Sequence, residues 1–103
     1  MSDYVKIAKV SEIPDGEMRG RKVGDTPVVL ANVGGQFFAL SDICTHEHCE
    51  LHGGYMEGTD IVCPCHGSQF DAKTGKVDNL PATEDLKTLE VKVKDGEIFV
   101  KVN

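Results

Sequence analysis

Residues 44–70 read CTHEHCELHGGYMEGTDIVCPCHGSQF and contain all four cysteines and all four histidines of the chain. These residues include two compact groups, Cys44-x-His46 and Cys63-x2-His66, with a glycine-containing interval between them. Thiolates and imidazoles are the side chains that bind soft and borderline transition metals. Two short groups that each hold both kinds of ligand therefore predict a metal site built from two segments of the chain.

The composition limits the class of protein. A chain of 103 residues predicts a single domain over residues 1–103, with a core of modest size. The formal net charge of −6 and the absence of Trp argue against nucleic acid as a partner. The N-terminus lacks the features of a secretory signal, and no apolar run is long enough for a membrane span. We expect a cytoplasmic monomer with no membrane contact, in which four cysteines indicate metal or redox chemistry.

Short runs of β-branched and aromatic residues, separated by turn residues, predict an all-β fold. The pairs Gly34-Gly35 and Asp95-Gly96 are typical of two-residue hairpin turns, so the strands on either side of each pair should be antiparallel. The predicted strands cover residues 4–10, 18–23, 27–33, 36–40, 59–62, 68–71, 88–94 and 98–102.

The pattern over residues 88–94 is the clearest alternation in the chain. Leu89, Val91 and Val93 alternate with charged residues, which predicts one strand that buries these three side chains on one face. No helix is expected beyond one short turn within residues 84–89. The cysteine- and histidine-containing groups should therefore lie on loops between strands.

Positive charge is absent from the centre of the sequence. None of the eleven Lys and Arg residues lies in the window of residues 23–72, which also holds the candidate metal ligands. The acidic residues of that window are Asp25, Asp42, Glu47, Glu50, Glu57, Asp60 and Asp71. The end of the molecule that holds the candidate metal ligands should therefore be acidic. Such an acidic end is either an ordinary solvated surface or a docking surface for a partner with a basic patch.

Three kinds of metal site use these side chains differently. A structural zinc site would take Cys44, His46, Cys63 and His66 as four tetrahedral ligands. An all-cysteine [2Fe–2S] site would take the four cysteines and leave the histidines without a role. A Rieske [2Fe–2S] centre would hold one iron by two cysteines and the other iron by two histidines. The ligand chemistry taken alone leaves all three open.

The two groups resemble the ligand motifs of the Rieske protein family. Cys44-Thr45-His46 is similar to the first motif, and the segment CPCHGS at residues 63–68 is similar to the second. The resemblance implies one [2Fe–2S] cluster with Cys44 and Cys63 on one iron and His46 and His66 on the other. It also implies a small antiparallel barrel or sandwich with an inserted cluster-binding subdomain over about residues 41–82.

The same resemblance assigns roles to residues near the implied cluster. It implies a disulfide between Cys49 and Cys65, and a hydrogen bond from the Ser68 hydroxyl to a bridging sulfide. Phe70 stands where high-potential members of the family carry a Tyr whose hydroxyl reaches a cysteine sulfur. Because Phe cannot donate a hydrogen bond, we expect an intermediate or low reduction potential.

A third segment is implied to shield the cluster, namely the loop of Leu80, Pro81 and Ala82. His48 and His52 are the two histidines that the family motifs leave without a role. We expect both to be solvent-exposed loop residues that bind no metal.

The resemblance implies a one-electron carrier and not an enzyme, similar to the small ferredoxins of oxygenase systems. The implied partners are a flavin-dependent reductase as donor and a terminal oxygenase as acceptor, which would dock at the acidic cluster end. Three alternatives remain from the sequence. They are the small subunit of an assimilatory nitrite reductase, a redox sensor that uses Cys49 and Cys65, and a zinc-stabilised binding module.

Overall fold

A computed structural model describes residues 3–43, 49–65, 67–79 and 84–101. These residues form eleven strands and two short 3₁₀ turns, and none of them lies in an α-helix. The strands are β1 (Tyr4–Lys9), β2 (Met18–Val23), β3 (Thr26–Val33), β4 (Gln36–Ser41), β5 (Tyr55–Glu57), β6 (Asp60–Val62), β7 (Gln69–Asp71), β8 (Val77–Asn79), β9 (Thr88–Leu89), β10 (Val91–Lys94) and β11 (Glu97–Lys101). The 3₁₀ turns are Val10–Glu12 and Leu51–Gly53.

Three sheets, antiparallel throughout, organise the strands, so the predicted all-β fold is confirmed. The strand orders are β1-β11-β10, β2-β3-β4-β9 and β5-β6-β7-β8. The first two sheets comprise the outer part of the molecule. The third sheet is smaller and connects the two cysteine-containing segments. Among the described residues, no helix is both long and apolar enough to cross a membrane.

β3 is the central strand of the fold because both of its faces are buried. Val28 and Leu30 pack in one core with residues of β1 and β11, whereas Val29 and Ala31 pack in a second core with residues of the small sheet. All four side chains are fully buried. An uninterrupted apolar run is the sequence pattern of such a strand. β3 therefore connects the outer sheets to the part of the chain that holds the cysteines.

The predicted hairpin at Gly34-Gly35 links β3 to β4. Both glycines have positive φ angles, 62° and 92°, which glycine adopts without strain and which a two-residue turn between antiparallel strands requires. The chain leaves the larger sheet after Ser41 and returns at Thr88, where β9 pairs with β4. All of the small sheet lies between these two points.

The predicted single strand over residues 88–94 is wrong in one respect. The chain forms β9 and β10 there, and the two strands belong to different sheets because Glu90 lies outside both ladders. β9 pairs with β4, whereas β10 pairs with β11. Val93 is consequently 49% exposed and does not share a buried face with Leu89.

Four short elements were not predicted: β5, β8 and the two 3₁₀ turns. Each has only three residues, too few to show a periodic pattern. The helical turn expected within residues 84–89 is also wrong. Residues 84–87 form no regular element, and residues 88–89 are β9.

Candidate metal centre

Cys63 follows directly after β6 and begins a tight turn into β7. The backbone N–H of Cys63 donates to the carbonyl of Ser68 at 2.8 Å, and the N–H of Gly67 donates to the carbonyl of Cys63 at 3.2 Å. Cys63 is 3% exposed and packs in the same core as Leu51 and Phe70. In the second cysteine segment, residues 63–68, backbone hydrogen bonds thus link Cys63 to Gly67 and Ser68, and the Cys63 thiol lies in apolar surroundings.

A disulfide joins Cys49 to Cys65, with 6.5 Å between their Cα atoms. Cys49 belongs to the first cysteine segment, residues 43–50, and Cys65 belongs to the second. The disulfide therefore holds the two segments together. The sulfur atoms of Cys49, Cys63 and Cys65 all lie within 4.8 Å of one another, so Cys63 lies beside the disulfide.

This arrangement limits which metal site the residues fit. A cysteine binds metal as a thiolate, and the sulfur atoms of a disulfide are not thiolates. The disulfide of Cys49 and Cys65 therefore removes both residues as ligands, and an all-cysteine cluster loses half of its ligand set. Of the described cysteines, Cys63 alone stands outside a disulfide. The donor set fits a centre that takes two thiolates and completes its ligands with histidines.

Several predicted site residues lie outside the part of the chain that the structure describes. They are Cys44, His46, His66, Leu80, Pro81 and Ala82. Their described neighbours in the sequence are Ile43, Cys49, Cys65, Gly67 and Asn79. The structure thus places Cys63, Ser68 and Phe70 directly, together with the disulfide.

A close approach of backbone to backbone brings the 3₁₀ turn Leu51–Gly53, which follows the first segment, against the end of β6. A Cβ atom added to Gly54 would lie 1.9 Å from the carbonyl oxygen of Val62 and 3.1 Å from Pro64 Cδ. Any side chain at residue 54 would therefore separate the 3₁₀ turn Leu51–Gly53 from the end of β6. The absence of a side chain at Gly54 allows the chain on both sides of Cys63 to pack closely.

His52 is exposed, as the sequence predicts, but it also forms hydrogen bonds with a buried carboxylate that the sequence does not indicate. Its Nδ1 donates to Oδ2 of Asp42 at 2.5 Å, and its backbone N–H donates to Oδ1 of Asp42 at 2.8 Å. The Asp42 side chain is 2% exposed and the His52 side chain is 39% exposed. No sequence motif indicates this pair, because it forms only when the end of β4 meets the 3₁₀ turn Leu51–Gly53.

Ser68 and Phe70, the two predicted tuning residues, are both fully buried. Phe70 pairs with Ile61 of β6 and packs in the core that contains Cys63. An aromatic ring at residue 70 thus contributes apolar surroundings and no hydrogen-bond donor.

Phe70→Tyr is expected to raise the reduction potential. A hydroxyl that donates to a cysteine sulfur stabilises the more electron-rich reduced state. One neutral hydrogen bond contributes about 0.5–1.5 kcal/mol, which corresponds to about 20–60 mV for one electron. A redox titration of the variant measures the shift, with Phe37→Tyr as the control, because the Phe37 ring packs against the other core. An unchanged potential in a folded Phe70→Tyr protein would contradict the assignment.

Four carboxylates lie together on the small sheet. This acidic patch consists of Glu57, Asp60, Asp71 and Asp78, and the register places Glu57 and Asp71 opposite Asp60 on the two neighbouring strands. Desolvation, together with the hydrogen bond and the repulsion from Asp78, raises the pKa of Asp60 to about 6. Asp71 and Glu57 add further repulsion. With this pKa, Asp60 loses its proton around pH 6, and the patch is most negative above that pH.

Basic residues lie closer to the first segment than their sequence positions suggest. Arg21 and Lys22 of β2 line a shallow cleft together with Asp42, Glu50 and His52. β2 is an edge strand of its sheet, and its basic side chains reach the end of the first segment at this cleft. The carboxylates that lie next to one another are those of the acidic patch on the small sheet.

The chain matches the family model described as "Rieske [2Fe-2S] domain" over residues 3–90. It is 43% identical over 99 residues to the "3-phenylpropionate/cinnamic acid dioxygenase ferredoxin subunit" of Photorhabdus laumondii subsp. laumondii, covering 94% of this chain and 92% of that one. It is 34% identical over 100 residues to the ferredoxin component of naphthalene 1,2-dioxygenase/salicylate 5-hydroxylase systems of a Ralstonia species, covering 97% and 96% of the two chains.

Solved structures include similar chains. One is in a complex of reduced oxygenase and oxidized ferredoxin in carbazole 1,9a-dioxygenase, with a TM-score of 0.90 and 36% identity. The match covers 98% of this chain and 94% of that chain. The family model and these similarities each extend over most of the chain, well beyond the two cysteine segments. The chain belongs to the Rieske [2Fe–2S] domain family and is a ferredoxin of that type, a carrier of electrons and not an enzyme.

Proposed function

We propose that Cys44 and Cys63 hold one iron of a [2Fe–2S] cluster and that His46 and His66 hold the other. The buried thiol of Cys63 beside the Cys49–Cys65 disulfide is the observation that carries this proposal. The disulfide occupies the two other cysteines, so two thiolates and two imidazoles remain from the predicted set. When bound, the cluster accepts and releases one electron.

The protein residues give the cluster an apolar environment on the side of the core. Leu51 and Phe70 are fully buried in the core that contains Cys63, and they exclude water from the thiolate side. The loop of Leu80, Pro81 and Ala82 would shield the opposite side. We infer that the histidine side is the more exposed one and provides the route for the electron.

We propose that the protein carries electrons from a flavin-dependent reductase to a terminal oxygenase. The similarity to a chain from an oxygenase–ferredoxin complex and to ferredoxin components of dioxygenase systems supports this role. For this role we propose a cytoplasmic, monomeric protein of one domain. Its cluster-binding part is inserted between β4 and β9. The zinc-module and nitrite reductase alternatives have no support from these relatives.

Stopped-flow mixing tests the role. The protein, reduced by a flavin-dependent reductase with NADH, is mixed with an oxidised Rieske oxygenase. One electron per chain should pass to the oxygenase, faster than the reductase alone supplies it. If the reduced protein is stable in the presence of oxygenases and their turnover is unchanged by its addition, the proposed role is wrong.

The acidic patch of the small sheet is the proposed docking surface. Asp60 precedes Cys63 by three residues of extended chain, about 10 Å, so the patch borders the metal centre without covering it. A patch of one sign attracts a partner surface of the opposite sign and raises the association rate. The partner surface that fits is basic.

Replacing Asp60, Asp71 and Asp78 by Asn is expected to slow association with the acceptor about tenfold at low ionic strength, because the long-range attraction is lost. The variant should also lose the salt dependence of the wild-type rate. Wild-type association should slow between pH 7.5 and pH 5, since the raised pKa of Asp60 leaves it protonated at the lower pH. Stopped-flow rates measured against salt concentration test both effects.

The triple variant Asp3→Asn, Asp15→Asn, Asp95→Asn is the matched control, because it removes the same number of charges at exposed carboxylates outside the small sheet. Its rate should stay within about twofold of the wild type, as expected for remote exposed charges. Equal slowing by the two triple variants would show that net charge, and not the acidic patch, steers the encounter.

A further inference from the structure

Asp42 joins the two ends of the first cysteine segment. It follows β4 directly, and its carbonyl accepts from the backbone N–H of Leu51 at 2.7 Å. Its carboxylate accepts from both the backbone and the side chain of His52. Next to it, Ile43 and Glu50 form an antiparallel bridge. The two ends of the first cysteine segment therefore lie next to each other.

Because Asp42 is buried, its carboxylate depends on the hydrogen bonds from His52. A carboxylate that is 2% exposed requires hydrogen-bond donors, because a buried charge without partners is strongly destabilising. His52 supplies two donors, at 2.8 Å and 2.5 Å. If the His52 side chain lost its donor, the buried carboxylate would keep only the backbone N–H of His52, and we expect the end of β4 to be held less firmly.

β2 also contacts the His52 ring, at Gly20. A Cβ atom added to Gly20 would lie 2.5 Å from Nδ1 and 2.6 Å from Cγ of the His52 ring. Gly20 pairs with Val29 of the central strand β3, so the surface against which the ring packs is itself fixed by the sheet. The ring therefore contacts both a strand held in the sheet and a buried carboxylate.

We propose that Asp42 and His52 are positioning residues for the metal centre. By closing the first cysteine segment at its base, they fix the ends between which Cys44 and His46 lie. The proposal rests on the proposed ligand set. It assigns a structural task to a histidine that the family motifs leave without a role, and it requires hydrogen bonds only, with no change of protonation.

Two variants of His52 that resemble each other in shape separate the effect of the lost hydrogen bond from the effect of the lost ring. In His52→Asn the amide nitrogen takes the place of Nδ1 and can still donate to Asp42. In His52→Leu that donor is lost at nearly the same volume. Gly20→Ala displaces the ring by contact and should reproduce His52→Leu. Asp15→Asn is the control, because Asp15 also accepts a backbone hydrogen bond, from Gly34 at 2.8 Å, but in the outer sheets.

The experiment uses the cluster-loaded protein, below the unfolding midpoint of each variant, and measures the rate of iron release and the EPR spectrum of the reduced state. Loss of a partner outside the ligand set typically weakens metal binding about 10–100-fold. We expect release to accelerate at least about tenfold in His52→Leu and Gly20→Ala, with shifted or broadened EPR lines. His52→Asn and Asp15→Asn should stay within about threefold of the wild type.

Two results would overturn the proposal. One is wild-type release and EPR lines in His52→Leu. The other is equal acceleration in His52→Leu and His52→Asn, which would assign the effect to the ring and not to its donor. These results are distinct from a failure of the ligand assignment, which would appear in the wild-type EPR spectrum before any variant is made.

Discussion

Replacing Cys63 by Ser is expected to yield a folded, colourless protein that retains less than about one tenth of the wild-type iron. A serine hydroxyl is a poor substitute for a thiolate toward iron, and Cys63 is buried beside the disulfide where no solvent-borne ligand replaces it. Ser is close to Cys in size, so the core should survive with a loss of about 1 kcal/mol. Iron analysis and visible absorption measure the first effect, and far-UV circular dichroism measures the second.

The double variant Cys49→Ser, Cys65→Ser is the matched control, since it makes the same chemical change twice within 4.8 Å of Cys63. It should keep its iron and its colour, because those sulfurs are bound to each other and not to metal. Loss of iron from the double variant with retention by Cys63→Ser would reverse the ligand assignment. An all-cysteine cluster predicts loss in both proteins.

Removing the disulfide with Cys49→Ala and Cys65→Ala is expected to lower the free energy of unfolding by about 3 kcal/mol. The disulfide closes a segment of the chain with a sequence separation of 16 residues, and a cross-link over that length restricts the unfolded chain by about this amount. For a domain of this size the change corresponds to a decrease of about 10–20 °C in the melting temperature. Thermal unfolding followed by circular dichroism measures it.

Treatment with a dithiol reductant provides the internal control. The wild-type protein should shift toward the melting temperature of the double variant as its disulfide is reduced, whereas the double variant should not respond. A bound cluster also holds the two cysteine segments together, so the loss should be larger in protein freed of iron. Equal melting temperatures for wild type and double variant would contradict a stabilising role of the cross-link.

The sequence predicts the parts of this fold that depend on local chemistry. The central strand β3 appears as an uninterrupted apolar run, and its hairpin appears as Gly34-Gly35, because both signals lie within a few residues. The separation of residues 88–94 into β9 and β10 has no such signal. The alternation continues through Glu90, while the two strands pair with different partners that lie far away in the chain.

The same distinction applies to the site. Cysteine and histidine spacing predicts a metal centre, because ligands must be supplied in compact groups. The contact between Asp42 and His52 joins residues ten positions apart that carry no common motif, and it depends on where β4 ends. Likewise, Arg21 and Lys22 lie beside Glu50 only because β2 forms the edge of its sheet. Such contacts are properties of the fold and not of any local pattern.

The EPR spectrum of the reduced protein tests the central claim most directly. Two histidine ligands on one iron lower the average g value of a [2Fe–2S] cluster relative to ligation by four cysteines. We predict the lower average g value, with an intensity of about one spin per chain for one electron stored. An average g value typical of an all-cysteine cluster, or a colourless protein without a signal, would contradict the account.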